Sequence, residues 1–170
     1  FIKKNKNKIL AVGEVGMDFK ETEEKEKQKI IFSRTIKLAK EINKTLIVHS
    51  RKAETDCIEL LEKLKADKVV MHCFSGKLNL VKRVIKNNWF VSIPTSVVNS
   101  EHFQKIIEIA PIENLLCETD SPYLHPFRDF PNTPANVVES YKKISEIKNL
   151  PLNEVEKIIE SNFKRLFVKT

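Results

Sequence analysis

Short apolar runs alternate with amphipathic stretches along the whole chain. Five runs read as strands: KILAVGEVGMDF, TLIVHS, KVVMHCFSG, WFVSIPTSVV with an early stop at Pro94, and ENLLCETDS. They are apolar on both faces, which is the pattern of a parallel sheet covered by helices. Between them lie helical patterns. The longest spans 22–42, with Thr22 as its N-cap and acidic residues in its first turn. Ile30, Ile31, Ile36, Leu38, Ala39 and Ile42 supply its apolar face. Further helices are expected over 53–65, 77–87, 100–109, 134–148 and 152–167. A proline-rich loop, SPYLHPFRDFPNTP, separates the fifth strand from the last two helices. No repeat or linker interrupts the alternation, so residues 1–170 read as one domain.

Composition narrows this picture. The chain has 170 residues, 41% hydrophobic and 31% charged, which suits a globular protein with a real core. No apolar run approaches the roughly 20 residues of a membrane span. FIKKNKNK lacks the apolar core of a signal peptide and reads as a solvated loop. The net charge of +7 favours polyanionic partners, although the basic residues are dispersed. Cys57, Cys73 and Cys117 show no CxxC spacing and read as buried thiols. The expected compartment is therefore reducing and cytoplasmic, or nuclear in a eukaryote. Alternation along a strand would turn Cys73 toward the helices if His72 faces inward.

Chemistry gathers at the strand ends. Glu14, His49, His72 and Asp120 each fall at or just past the end of an apolar run, 35, 23 and 48 residues apart. Taken singly, Glu14 reads equally as a loop carboxylate, either histidine as a satisfied core residue, and Asp120 as the start of a turn. Four metal-liking side chains at one structural position are harder to ascribe to chance. They point to ligands on one rim of a parallel barrel. Two imidazoles and two carboxylates suit Zn²⁺ or Mn²⁺, with Mg²⁺ in a mixed site. Two ions about 3.5–4 Å apart suit in-line attack on a phosphodiester. His125 follows Asp120 on the same rim, whereas His102 reads as a surface residue.

GEVGMDF, HSR, HCFSG and ETDSPYL, in this order and at these spacings, resemble the TatD family of metal-dependent deoxyribonucleases. The likeness runs from about Ile9 to Phe167 and includes NTPANV. It implies a TIM-like (β/α)8 barrel and a DNase acting on single-stranded or frayed DNA ends, with exonuclease activity and two divalent ions. By the same resemblance Glu14 is the bridging carboxylate, His49 and His72 are ligands, and Asp120 is a ligand that also takes a proton from the attacking water. Arg51 is then a phosphate contact, or else the salt-bridge partner of Glu118 or Glu14. His125 and Arg128 fall in the substrate loop. The family opens on an HxH pair, and this chain has none. A barrel typically needs ~250 residues, so the chain is expected to be its C-terminal two-thirds, lacking about 80 residues. No obligate protein partner is expected. Two other readings stay open: hydrolysis of a small amide or ester, and a non-catalytic fragment with an incomplete metal site.

Overall fold

The structure is a computed structural model that describes residues 1–20 and 24–168. Its strands are β1 (Ala11–Gly16), β2 (Thr45–His49), β3 (Val69–Met71), β4 (Phe90–Ile93) and β5 (Leu115–Cys117). The α-helices are α1 (Lys25–Glu41), α2 (Glu54–Lys63), α3 (Leu78–Lys86), α4 (Glu101–Ile109), α5 (Val138–Lys148) and α6 (Leu152–Phe167). All strand pairs are parallel, and the sheet order is β1-β2-β3-β4-β5. A sheet whose order follows the sequence without reversal winds in one sense. That is the arrangement of a barrel wall rather than of a doubly wound sheet.

Alternation along each strand sorts the side chains onto two faces. Leu46, Val48, Val69, Met71, Val91, Ile93 and Leu115 join the main core under the helices. Val70, Phe90 and Leu116 face the other way and form a second cluster with Leu166. The end of α6 closes that cluster: the Thr45 hydroxyl donates to Leu166 O at 2.6 Å. Buried Asn162 donates to Ile112 O and Leu115 O, both at 2.8 Å, fixing α6 beneath β5.

Four helices end in the same way. Asn43, Lys65, Asn88 and Asn149 take left-handed backbone, and the next N–H returns to a carbonyl five residues back. This cap satisfies the last carbonyls and turns the chain toward its next element. With only three glycines in the sequence, asparagine and lysine fill positions where glycine is usual.

Several expectations need adjustment. The buried stripe of α1 is Phe32, Ile36 and Ala39, while Ile30 and Ile31 are each 54% exposed. A helix on a sheet buries one stripe at i, i+4, i+7, and the stripe through Phe32 is the one that faces inward. The expected N-cap, Thr22, lies outside the described residues. Beyond Pro94 the chain forms a short 3-10 helix, Thr95–Asn99, and 134–137 is also 3-10 rather than the start of α5. The strand KVVMHCFSG is cut to three residues because Cys73 adopts φ +41.

Candidate metal centre

Glu14 lies within β1, not after it. Val12 pairs with Leu46 but Val15 with Val48, so β1 carries one extra residue there. This bulge re-aims side chains, and Glu14 comes to lie within reach of both imidazoles. Its Oε2 stands 3.7 Å from His72 Nε2 and 3.8 Å from His49 Nδ1. Two glycines allow the close approach. A Cβ on Gly13 would sit 2.6 Å from Ile47 Cβ. One on Gly16, whose φ is +145, would sit 1.9 Å from the carbonyl oxygen of His49.

His72 leaves β3 and Asp120 follows β5, its own φ at +57. Asp120 Oδ1 is 3.4 Å from His72 Nε2. Candidate ligand atoms of Glu14, His72 and Asp120 all lie within 4.8 Å of one another. His49 stands outside that trio and approaches it through Glu14. Next to the trio is a cavity of about 320 Å³, lined among others by His49, Arg51, His72, Asp120 and Leu124.

Behind each histidine stands a carboxylate. Glu118 Oε2 is 2.6 Å from His72 Nδ1, and its Oε1 accepts from Cys73 N at 2.9 Å. Asp18 Oδ2 is 3.0 Å from His49 Nε2. It also accepts from Arg51 Nε at 2.8 Å and lies 2.6 Å from Arg51 Nη2. Gln28 of α1 grips the Asp18 backbone at both N–H (2.7 Å) and carbonyl (2.9 Å). A carboxylate on one ring nitrogen fixes the ring and leaves the other nitrogen to face the centre.

The electrostatics call for a cation. Burial disfavours charge on His72, yet the Asp120 and Glu118 carboxylates that accept its hydrogen bonds, with Glu14 nearby, raise its pKa to about 10. The His72 bond holds Asp120 below the usual carboxylate range, against burial. For Asp18 burial opposes ionisation, but Arg51, His49 and the Lys20 N–H outweigh it and keep the group well below that range. The nitrogen and carboxylate donors fit a divalent metal, which would take the place of the His72 proton.

The remaining expected residues are placed as follows. Arg51 lies at the cavity edge and is bonded to Asp18, a different acid from the Glu118 or Glu14 weighed in the sequence. His125 Nδ1 accepts from Phe127 N (3.1 Å) and Asp129 N (3.3 Å), so the neutral ring carries its proton on Nε2. Arg128 is exposed on the same loop, its N–H donating to His125 O at 3.2 Å. His102 is half-buried against Phe103, not a surface residue. Cys73 lines the cavity beside His72: strand alternation ends at Met71, so the inside-outside rule no longer orients it. Cys57 is buried, and Cys73 and Cys117 are partly buried.

The sequence pointed to Glu118 only as a salt-bridge partner of Arg51, and to Asp18 not at all. The signal for Glu118 was its place directly after the fifth apolar run, two residues before Asp120. Asp18 had no such signal, because its role arises only when β1 and β2 pair.

Comparison with known proteins identifies the family. The profile described as TatD related DNase matches residues 2–168. The uncharacterized metal-dependent hydrolase MJ1582 of Methanocaldococcus jannaschii is 40% identical over 166 residues, covering 98% of this chain and 66% of that protein. Human deoxyribonuclease TATDN3 is 36% identical over 173 residues, covering 99% of this chain and 63% of that one. The chain thus spans just under two thirds of these relatives' length. The crystal structure of YJJV, a TatD homolog from Escherichia coli k12, superposes with a TM-score of 0.90 at 24% identity, covering 99% of this chain and 68% of that one, and so shows a shared TIM-barrel-like fold. With five parallel strands in sequential order and the profile running almost end to end, the chain belongs to the TatD related DNase family.

Proposed function

We propose that this rim hydrolyses phosphodiester bonds in DNA as a metal-dependent exonuclease, working on single-stranded or frayed ends. The observation that carries the reading is the convergence of Glu14, His72 and Asp120 with a second carboxylate behind each histidine. The five strands are read as an arc of a (β/α)8 wall, with the site on the rim where such enzymes work.

In this reading Glu14, His49, His72 and Asp120 would hold divalent ions, two in number. The ions would acidify a water and offset charge at the phosphate. Asp120 would accept the proton of the attacking water, its carboxylate lying with Glu14 and His72 at the converging trio. Glu118 and Asp18 hold the two rings in their working orientation. Arg51, tied to Asp18 at the cavity edge, is read as a phosphate contact. His125 Nε2–H and Arg128 donate to phosphates farther along the strand.

Linear and circular single-stranded DNA of one sequence distinguish end-directed from internal cleavage. With Mn²⁺ or Mg²⁺ the full-length protein should shorten the linear strand from an end and leave the circle intact. Cleavage of the circle at a comparable rate would refute the exonuclease assignment, and inertness toward both would refute DNA as substrate.

A further inference from the structure

The loop over 119–134 displays three aromatic rings to solvent: Tyr123 at 66%, Phe127 at 65% and Phe130 at 68% exposure. Tyr123 and Phe130 lie with ring centroids 6.4 Å apart, and Phe127 packs edge-on to His125 at 5.9 Å. A loose loop would expose rings by default, but this loop is built. Asn132 is 3% exposed, and the two N–H groups of its amide are shared among Thr95 Oγ1 (3.0 Å), Thr119 O (2.8 Å) and Tyr123 O (2.7 Å). Its carbonyl accepts from Thr133 N and Asn136 Nδ2. Thr95 Oγ1 in turn donates to Leu124 O at 2.7 Å, and Asn99 Nδ2 donates to Pro126 O. Buried polar networks this well satisfied fix a backbone in one shape. The rings are therefore held outward by a rigid support.

The loop is also continuous with the metal rim. Tyr123 N–H donates to Asp120 O at 2.9 Å, and Asp120 and Leu124 line one cavity with His49 and His72. Arg128 and His125 are interleaved with the rings in sequence. Planar rings beside basic side chains, next to a phosphate-cleaving site on a chain of net charge +7, match the chemistry of an unpaired nucleic acid strand. Phosphates would meet Arg128 and the His125 Nε2–H while bases stack on the rings.

We propose that Tyr123, Phe127 and Phe130 form a stacking platform for unpaired nucleobases that seats a single DNA strand at the metal rim. The proposal rests on the DNA-hydrolysis reading above. It makes the platform the feature that selects unpaired DNA, because paired bases have no free face to offer.

The test measures binding by fluorescence anisotropy with full-length protein carrying Asp120→Asn to stop turnover. The probes are a thymidine oligonucleotide of about ten nucleotides and an abasic oligonucleotide of equal length and charge. Stacking should make the thymidine strand bind at least about tenfold more tightly, as a single good stack of ~1.4 kcal/mol gives. Replacing all three rings by alanine should bring the ratio to within about twofold and leave abasic binding unchanged. Phe127→Trp should keep the ratio. The platform is overturned if the two probes bind alike, if the triple variant keeps the ratio, or if it weakens both probes equally. It is also overturned if the triple variant leaves both unchanged but alters the assembly mass in light scattering, which would assign the rings to a protein interface. Failure of the underlying reading looks different: protein without the Asp120 substitution, given metal, then degrades neither single-stranded nor duplex DNA.

Discussion

At the residue scale, the site is organised by carboxylates that are not themselves in the converging trio. Glu118 holds His72 from behind, and Asp18 does the same for His49. Replacing Glu118 by Gln keeps an acceptor for His72 Nδ1–H but removes the charge. Metal affinity measured by calorimetry should fall about 10–100-fold with the melting temperature little changed. Affinity equal to wild type would mean that Glu118 does not tune the centre. A second residue-scale outcome concerns Cys57. It is 0% exposed, and burial pushes its thiol up to about 12. An unfolded thiol titrates near ~8.5. The folded value is the raised one, so its contribution to stability is complete below about pH 8.5 and is lost as pH rises toward 12. Denaturant titrations should show unfolding free energy falling above pH 9. Cys57→Ala should remove about 1.4 kcal/mol per pH unit of that slope. An unchanged slope would show that this thiol already titrates in the folded protein.

Among the elements, β1 and β2 carry the greatest constraint. The bulge in β1 positions Glu14, and Gly16 lies directly against the backbone of His49. A methyl group on Gly16 would have to push β1 off β2. Gly16→Ala should cost about 3 kcal/mol or more, read as a lower denaturation midpoint, and should weaken metal binding as His49 moves. A stable variant with normal metal affinity would contradict the close packing. This is also where the sequence was legible and where it stopped being so. Apolar runs placed all five strands and put Glu14, His49, His72 and Asp120 near their ends, because a parallel sheet imposes that pattern on the chain itself. The bulge at Glu14, the early end of β3 at Met71 and the Arg51–Asp18 pair were not legible. Each depends on contacts between strands far apart in sequence. The outward turn of Ile30 and Ile31 likewise reflects which stripe of α1 the sheet accepts, and periodicity alone offered more than one.

For the whole molecule, the sequential parallel sheet brings side chains from four separate segments to one rim, and α6 closes the opposite end of the inner face through Leu166. The resulting centre combines a surplus of carboxylates with a histidine that holds its proton until about pH 10. Such a pocket is arranged for cations, while the chain as a whole carries +7 and suits a polyanion. The measurement that tests this account most directly follows hydrolysis of end-labelled single-stranded DNA by the full-length protein. It compares the chelated protein, the same protein after Mn²⁺ or Mg²⁺ is restored, and Asp120→Asn with metal. The account predicts no cleavage with chelator, recovery on metal addition, and a loss of at least about 100-fold in the variant at unchanged fold. Cleavage that survives the chelator, or an Asp120→Asn protein as active as wild type, would contradict it.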